Sequence, residues 1–478
     1  MFPRLKSLSG RLRAGGARRS GRVRFFYGLL HATSLTLLLV LALAAIVANR
    51  VSPFYRVIEG TLLEQVGLYT VGFVSRQDLF WRRVAAGFPL MADENEARRY
   101  FEGEIQRTRP THVLKRSDGG VLFGRLRETP SGFELERNTG HKAELLALSE
   151  EDILWRKRIF HPRITLQPRD VRFLVNYPGY TYFYLPPYLI ITDASFSVAY
   201  RVFRILLALM DEFRVSFGNL MQEQKRGGML YVCFFNDEKT YKRYAIKKED
   251  VNLECSLGFY SVVEDCLFVY NRMHSFDRIR IDRRIDRLVA ELELHPVPMR
   301  SENIEAFSRQ MKTRVAKAFE LELFQTLRHE GAHQLAFSYG VHSAEGYEHL
   351  WLQEGLAQYC ETAPFGMPKP DALQQLAHGV ATNNLIPWRT LVDTPCQGGF
   401  NAVFDRQTPE AYAQAWWLFC ELNRGNRRLG LLDYMAHIRE LSLTRLGRSR
   451  ADMLEQFTGI QLADEVNRRL LNDPVFQA

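Results

Sequence analysis

The chain has 478 residues, enough for two or three domains at about 150 residues each. Hydrophobic residues make up 46% and charged residues 24%, which excludes collagen-like, low-complexity and wholly disordered chains and leaves material for a sizeable core. The net charge of +9 is not spread over the molecule: residues 1–24 hold eight basic side chains (Arg4, Lys6, Arg11, Arg13, Arg18, Arg19, Arg22, Arg24) and no acidic one, and without them +1 remains. The body is near neutral, so a nucleic-acid partner is not expected.

Residues 25–48 follow this basic arm without a charged side chain. As a helix, twenty-four residues reach ~36 Å, enough to cross ~30 Å of hydrocarbon. Basic residues before the run imply a cytoplasmic N-terminus and an extracytoplasmic, periplasmic or external, remainder. A cleaved signal peptide is the competing reading, because Ala42-Leu43-Ala44 resembles a cleavage site. The length of the run and of the arm favours a retained single-pass signal anchor. Residues 49–108 mix short apolar runs with charge and read as a stalk or linker.

From Thr111 the texture is β-like. Turn pairs at Asp118-Gly119-Gly120, Ser131-Gly132 and Thr139-Gly140 separate strands over 121–126, 133–137 and 143–148, and Ser149 caps a turn before Ile153-Leu154-Trp155. The pattern resembles a small SH3-like β-barrel at 109–157, a spacer or a contact module for a protein partner. Further on, 189–192 reads as a strand and Asp193-Ala194-Ser195 caps a helix that runs to Phe217 and stops at Gly218. Residues 229–235 form a buried strand, Gly258-Phe259-Tyr260 and 266–270 a hairpin, and the alternating charges of 277–287 a solvated face. Residues beyond Ser301 are mostly helical, giving an α+β chain whose second domain spans 170–478. Its six cysteines (Cys233, Cys255, Cys266, Cys360, Cys396, Cys420) form no CxxC pair, so neither a disulfide framework nor a thiolate zinc site is expected.

The chemistry-bearing motif is His329-Glu330-Gly331-Ala332-His333. Histidines at i and i+4 share one helix face and can hold one tetrahedral Zn2+, while the adjacent Glu330 carboxylate reaches a metal-bound water. The flanks lack proline and continue a helical apolar pattern through Ala318, Leu321, Phe324 and Leu327. A catalytic site needs a third protein ligand and an open position. Glu354, within Trp351-Leu352-Gln353-Glu354-Gly355 on a second helix, is the candidate; His342, Glu345, Glu348 and His349 are rivals in the preceding loop. The bland alternative is a pair of ordinary core or surface histidines beside a helix carboxylate.

Together, HExxHQL at 329–335, W-L-x-E-G-L-A-x-Y at 351–359, the Gly258-Phe259-Tyr260 hairpin and Tyr412-Ala413-Gln414-Ala415-Trp416 make residues 188–472 resemble the gluzincin metallopeptidases, the group of thermolysin and aminopeptidase N. The chain looks nearest to the uncharacterised bacterial peptidase-like proteins of that clan. The resemblance implies a thermolysin-like two-lobed domain, a zinc bound by His329, His333 and Glu354, Glu330 as general base, and a protein or peptide substrate. It also implies an oxyanion-stabilising tyrosine, for which Tyr412 is the candidate and Tyr359 and Tyr347 the fallbacks. Twenty residues separate His333 from Glu354, more than in aminopeptidase N relatives, and no G-x-M-E-N segment is present. Peptidase chemistry is thus implied without an aminopeptidase mode. The hairpin reads either as a sheet edge that accepts an extended substrate or as an internal hairpin. A structural metal clip in an interaction protein, and hydrolysis of non-peptide amide bonds, are the competing functions.

Overall fold

All the strands expected between Thr111 and Trp155 form, as β1 (His112–Arg116), β2 (Val121–Thr129), β3 (Gly132–Asn138), β4 (Ala143–Leu148) and β5 (Ile153–Arg158), in the antiparallel order β4-β3-β2-β1-β5. The computed structural model describes residues 94–472 apart from 139–142, 178, 224–227, 250–255, 295–300, 344–349, 396–398, 442–448 and 463–464. The basic arm, the anchor expected at 25–48 and most of the stalk lie outside the described residues. No helix among the described residues is long and apolar enough to cross a membrane. Met91–Ala478 forms one compact unit.

The small sheet departs from the expected barrel. β2 pairs with β1 through Val121 to Gly124 and with β3 through Arg125 to Thr129, so the sheet folds about its middle strand. Its two edges, β4 and β5, are not paired with each other among the described residues, and the barrel is not closed. The buried interior, among the described residues, consists of Leu114, Phe133, Leu135 and Leu148. So small a core does not draw the edges to the ~4.8 Å spacing that strand pairing needs.

The stalk also ends earlier than its sequence suggests. Helix α1 (Glu94–Thr108) buries Ala97, Phe101 and Ile105, a stripe at i, i+4 and i+8, with Phe101 edge-on to Tyr182 at 5.3 Å. It packs on α2 (Pro168–Leu174) and β6 (Thr181–Leu185).

β6 opens the second sheet, completed by β7 (Tyr188–Thr192), β8 (Leu230–Phe235), β9 (Gly258–Ser261) and β10 (Cys266–Tyr270) in the order β6-β7-β8-β10-β9. β7, β8 and β10 run parallel, and the outer strands run antiparallel to them. Every residue of β6, β7, β8 and β10 is buried, as expected for a sheet covered on both faces. On one face lie α1, α2 and α4 (Glu238–Glu249), with Phe173 stacked on Tyr231 at 3.9 Å and Tyr241 against Tyr270. On the other lies α3 (Phe196–Phe217), which starts after Ser195 and ends at Gly218 as its sequence predicts and buries Val202, Leu206, Leu209, Phe213 and Phe217. The charged 277–287 stretch falls within α5 (Phe276–Glu293), where only Ile285 is buried.

The longest helix, α6 (Ser301–Ser338), crosses the α3 face of the sheet with its C-terminal half. Beyond it the chain is helical: α7 (Leu350–Cys360), α8 (Pro370–Ala381), α9 (Trp388–Asp393), α10 (Gly399–Phe404), α11 (Thr408–Leu422), α12 (Arg427–Glu440), α13 (Arg450–Thr458) and α14 (Glu465–Asn472). Two glycines set the helix spacing around the metal motif. A Cβ on Gly331 of α6 would stand 2.7 Å from Leu209 of α3, and one on Gly355 of α7 would stand 2.7 Å from the Ala415 carbonyl of α11. Gly355, which faces backbone, therefore demands the smallest side chain, whereas at Gly331 the neighbours are leucine side-chain ends that can shift.

Cys233, Cys266, Cys360 and Cys420 are buried thiols; Cys255 and Cys396 lie outside the described residues. Cys233 and Cys266 have sulfurs 3.6 Å apart. They are nevertheless two positions out of register on β8 and β10, since Cys266 faces Tyr231, which places their Cα atoms too far apart for an unstrained bridge.

Candidate metal centre

One turn apart on α6, His329 and His333 present their rings to the same side, with centroids 4.9 Å apart at 78°. α7 brings Glu354 against both: Oε2 lies 3.2 Å from His329 Nε2 and Oε1 3.8 Å from His333 Nε2. One donor atom from each of the three residues falls within 4.8 Å of the others. Glu354 Oε2 is buried and accepts no hydrogen bond. A buried carboxylate facing two imidazoles suits a divalent cation, and two nitrogens with one oxygen make a donor set for zinc. Of the rival ligands, His342 is buried against the Phe337 ring, while Glu345, Glu348 and His349 lie outside the described residues.

The electrostatics of the site differ from residue to residue. Burial pushes the His333 pKa down to about 4, so this ring is neutral and keeps a free lone pair at neutral pH. Burial works in the same direction on His329, but the carboxylates of Glu354 and Glu361 on its two nitrogens outweigh it and hold its pKa well above the ordinary value. Glu354 stays below the ordinary carboxylate range, because its contacts with His329 and His333 overcome its burial. Glu330 behaves oppositely. Burial lifts it to about 7, against the pull of His329 and a backbone hydrogen bond from Tyr260 on β9. A carboxylate that titrates near neutrality suits a proton acceptor.

Sequence reasoning missed Glu361. His329 Nδ1 donates to Glu361 Oε1 at 2.8 Å, and Lys369 Nζ pairs with Glu361 Oε2 at 2.6 Å and donates to Gln358 Oε1 at 2.8 Å. Holding the proton on Nδ1 leaves Nε2 as the metal-facing nitrogen and fixes the ring plane. The signal was available: Glu361 lies seven residues after Glu354, two turns along one helix face. Arg328, only 1% exposed, clamps this stretch in place. Its guanidinium donates to the carbonyls of Cys360 and Thr362, each at 2.7 Å, and to Glu212 of α3 at 3.0 and 3.2 Å. Gln334, the residue after the second histidine, donates to the Tyr231 carbonyl and ties α6 to β8.

Of the tyrosines, Tyr412 of α11 stands where three site carboxylates act on it. Glu354 first, then its burial and the charges of Glu330 and Glu361, raise its pKa well above the ordinary value. Its ring sits edge-on to Phe400 at 4.9 Å. Tyr359 instead packs among Phe217, Phe365 and Phe419, and Tyr347 lies outside the described residues.

The Gly258–Tyr270 hairpin is not internal. Among the described residues β9 is the outer edge of the second sheet, packed beside α6. Asp265 in its turn accepts hydrogen bonds from Arg169, from the Tyr260 hydroxyl and from Ser338 at the end of α6. The hairpin turn is thereby tied to α6 through Ser338 and to α2 through Arg169.

Residues 324–440 match the model of a family described as a protein of unknown function, DUF1570. That span takes in the end of α6, α7 and α11, and so all the residues of the donor cluster and Tyr412. No curated protein matches the chain.

Proposed function

We propose that the chain is a membrane-anchored zinc metallopeptidase of the gluzincin type, with its catalytic part outside the cytoplasm and its substrate a protein or peptide. The observation that carries the reading is the convergence of His329, His333 and Glu354 beside a buried Glu330 that titrates near neutrality. In this reading the β6–β10 layers form the upper lobe and α7–α14 the lower lobe of a thermolysin-like domain.

Zinc, when bound by His329, His333 and Glu354, supplies Lewis acidity and brings the pKa of a coordinated water toward ~7. Glu330 accepts a proton from the attacking water and returns it to the leaving amine. The Tyr412 hydroxyl donates to the oxyanion that develops on the carbonyl. Glu361 keeps His329 in the required tautomer, and Lys369 balances the Glu361 charge in the buried site. The edge of β9, unpaired among the described residues, lies beside Glu330 and is suited to align an extended peptide through its backbone, which makes little demand on substrate sequence.

The deciding experiment measures zinc content and casein cleavage on the same samples of Met91–Ala478, wild type and Glu354→Ala. One zinc per wild-type chain, lost in the variant and accompanied by chelator-sensitive cleavage, is the expected result. Zinc retained by the variant would remove Glu354 from the ligand set. Zinc bound without cleavage of casein or of a peptide library would turn the reading toward a structural clip or a non-peptide amide substrate.

A further inference from the structure

Among the described residues, the segment after β5 carries a localised basic and aromatic surface. Residues 156–163 read Arg-Lys-Arg-Ile-Phe-His-Pro-Arg without an acidic side chain. Arg156 reaches Glu128 at 3.4 Å, whereas Lys157, Arg158 and Arg163 are exposed and pair with no carboxylate among the described residues. Phe160 is 84% exposed, with the Arg158 guanidinium 5.7 Å from its ring centre. Upstream on β5, Leu154 is 60% and Trp155 45% exposed. Beside this strand lies a groove of about 530 Å³ whose lining includes Phe123, Phe160, Phe196, Phe203, Lys157 and Arg158 and no acidic residue.

Basic side chains on an edge strand serve one ordinary purpose, to stop it pairing with other strands. That purpose does not call for an exposed Phe160 and Trp155 beside an aromatic groove. Cations interleaved with exposed aromatics over an apolar recess are the composition of a bilayer interface contact, where the charges meet lipid phosphates and the rings enter the headgroup layer. The inference rests on the proposed anchor: if the uncharged run at 25–48 inserts, the chain is tethered to a bilayer. The 45 residues of 49–93 can span up to ~150 Å when extended.

We propose that the end of β5, the segment through Arg163 and the adjoining groove form a peripheral docking surface for anionic phospholipid. Lys157, Arg158 and Arg163 take the phosphates, Phe160 enters the interface, and the aromatic groove seats apolar lipid. The surface is separate from the metal centre and does not rest on peptidase activity.

Co-sedimentation of Met91–Ala478, which lacks the apolar run, with vesicles tests this directly. The expected result is binding to phosphatidylcholine vesicles containing phosphatidylglycerol, weak or no binding to phosphatidylcholine alone, and loss of binding as salt is raised. The Lys157→Glu/Arg158→Glu variant should bind the anionic vesicles at least roughly tenfold more weakly, since each basic residue at such a surface contributes about a fivefold factor. Phe160→Ala should weaken binding a few-fold while keeping its salt dependence. Circular dichroism and zinc content serve as fold controls, and both variants change only exposed side chains. Equal binding to both vesicle types, no binding to the anionic ones, or an unaffected double variant would overturn the proposal. A fluorescent oligoglutamate peptide that binds wild type and not the double variant, where vesicles do not bind, would make the surface a protein dock and end the lipid assignment.

Discussion

The two sheets of this molecule are built on opposite terms. The β6–β10 sheet is buried on both faces, and its neighbours α3 and α6 are locked to it by close packing at Gly331 and by Gln334. The β1–β5 sheet encloses four buried side chains, and its β5 edge is exposed along five of its six residues. The first arrangement can hold donor atoms in fixed positions, which a metal centre needs; the second can offer area but little rigidity. In the proposed function, chemistry belongs with the first sheet and contact with the second. Substitutions on the two sides can break that division or sharpen it.

The largest effect is expected at Glu330. Glu330→Gln keeps the size of the side chain and removes the proton acceptor, so zinc should stay bound while kcat falls by about 10²–10⁴-fold. Peptide hydrolysis at an unreduced rate with full zinc occupancy would show that the carboxylate is not the base. Next comes Arg328→Met, which leaves Glu212 and the carbonyls of Cys360 and Thr362 without their donor. Breaking a buried ion pair by removing one partner costs about 3–5 kcal/mol, and the partial exposure of Glu212 argues for the lower end here. Urea denaturation measures it. A loss under about 1 kcal/mol would mean that the clamp is not what fixes the end of α7.

Glu361→Gln should act more mildly and on a different readout. The amide can still accept from His329 Nδ1, but it cannot balance Lys369, so zinc affinity should fall by about 10–100-fold with little change in fold. Competition with a chromophoric chelator gives the number. Unchanged affinity would reduce Glu361 to a packing residue.

The residues of the site differ in how far the sequence revealed them. The two histidines, Glu330 and Glu354 were legible because helical periodicity and a fixed spacing act over a few residues, and the structure brings all four together. α3 was legible for the same reason, with its cap and stop adjacent to its apolar stripe. Glu361 carried only a weak i+7 signal, since what defines it is a partner on another helix. The apolar stripe of α1 was hidden among charged neighbours: three buried residues in fifteen do not stand out until β6 and α2 are placed against them. Strand order was also out of reach. Whether the Gly258–Tyr270 hairpin is internal or an edge depends on which strand pairs with β8, and that is a long-range choice. The open barrel failed for a related reason: turn pairs mark where strands end but not whether the first and last sheet edges meet.

The smallest expected effect lies on the small sheet and tests the contrast most sharply. Leu154 and Trp155 are the two apolar residues of β5 that face solvent, and the Leu154→Thr/Trp155→Ser double variant removes both. If β5 does no more than close one side of a minor core, its exposed side chains contribute little to folding, and the variant should lie within about 0.5 kcal/mol of wild type by urea denaturation. Zinc affinity should not change, because the donor set stands on α6 and α7, outside this sheet. A stability loss of several kcal/mol would mean that these side chains pack in solution against something that keeps the sheet folded, and the surface could no longer be treated as free. A change in zinc affinity would be more damaging, since it would couple the two sheets and undo the division between a rigid site and an adaptable surface.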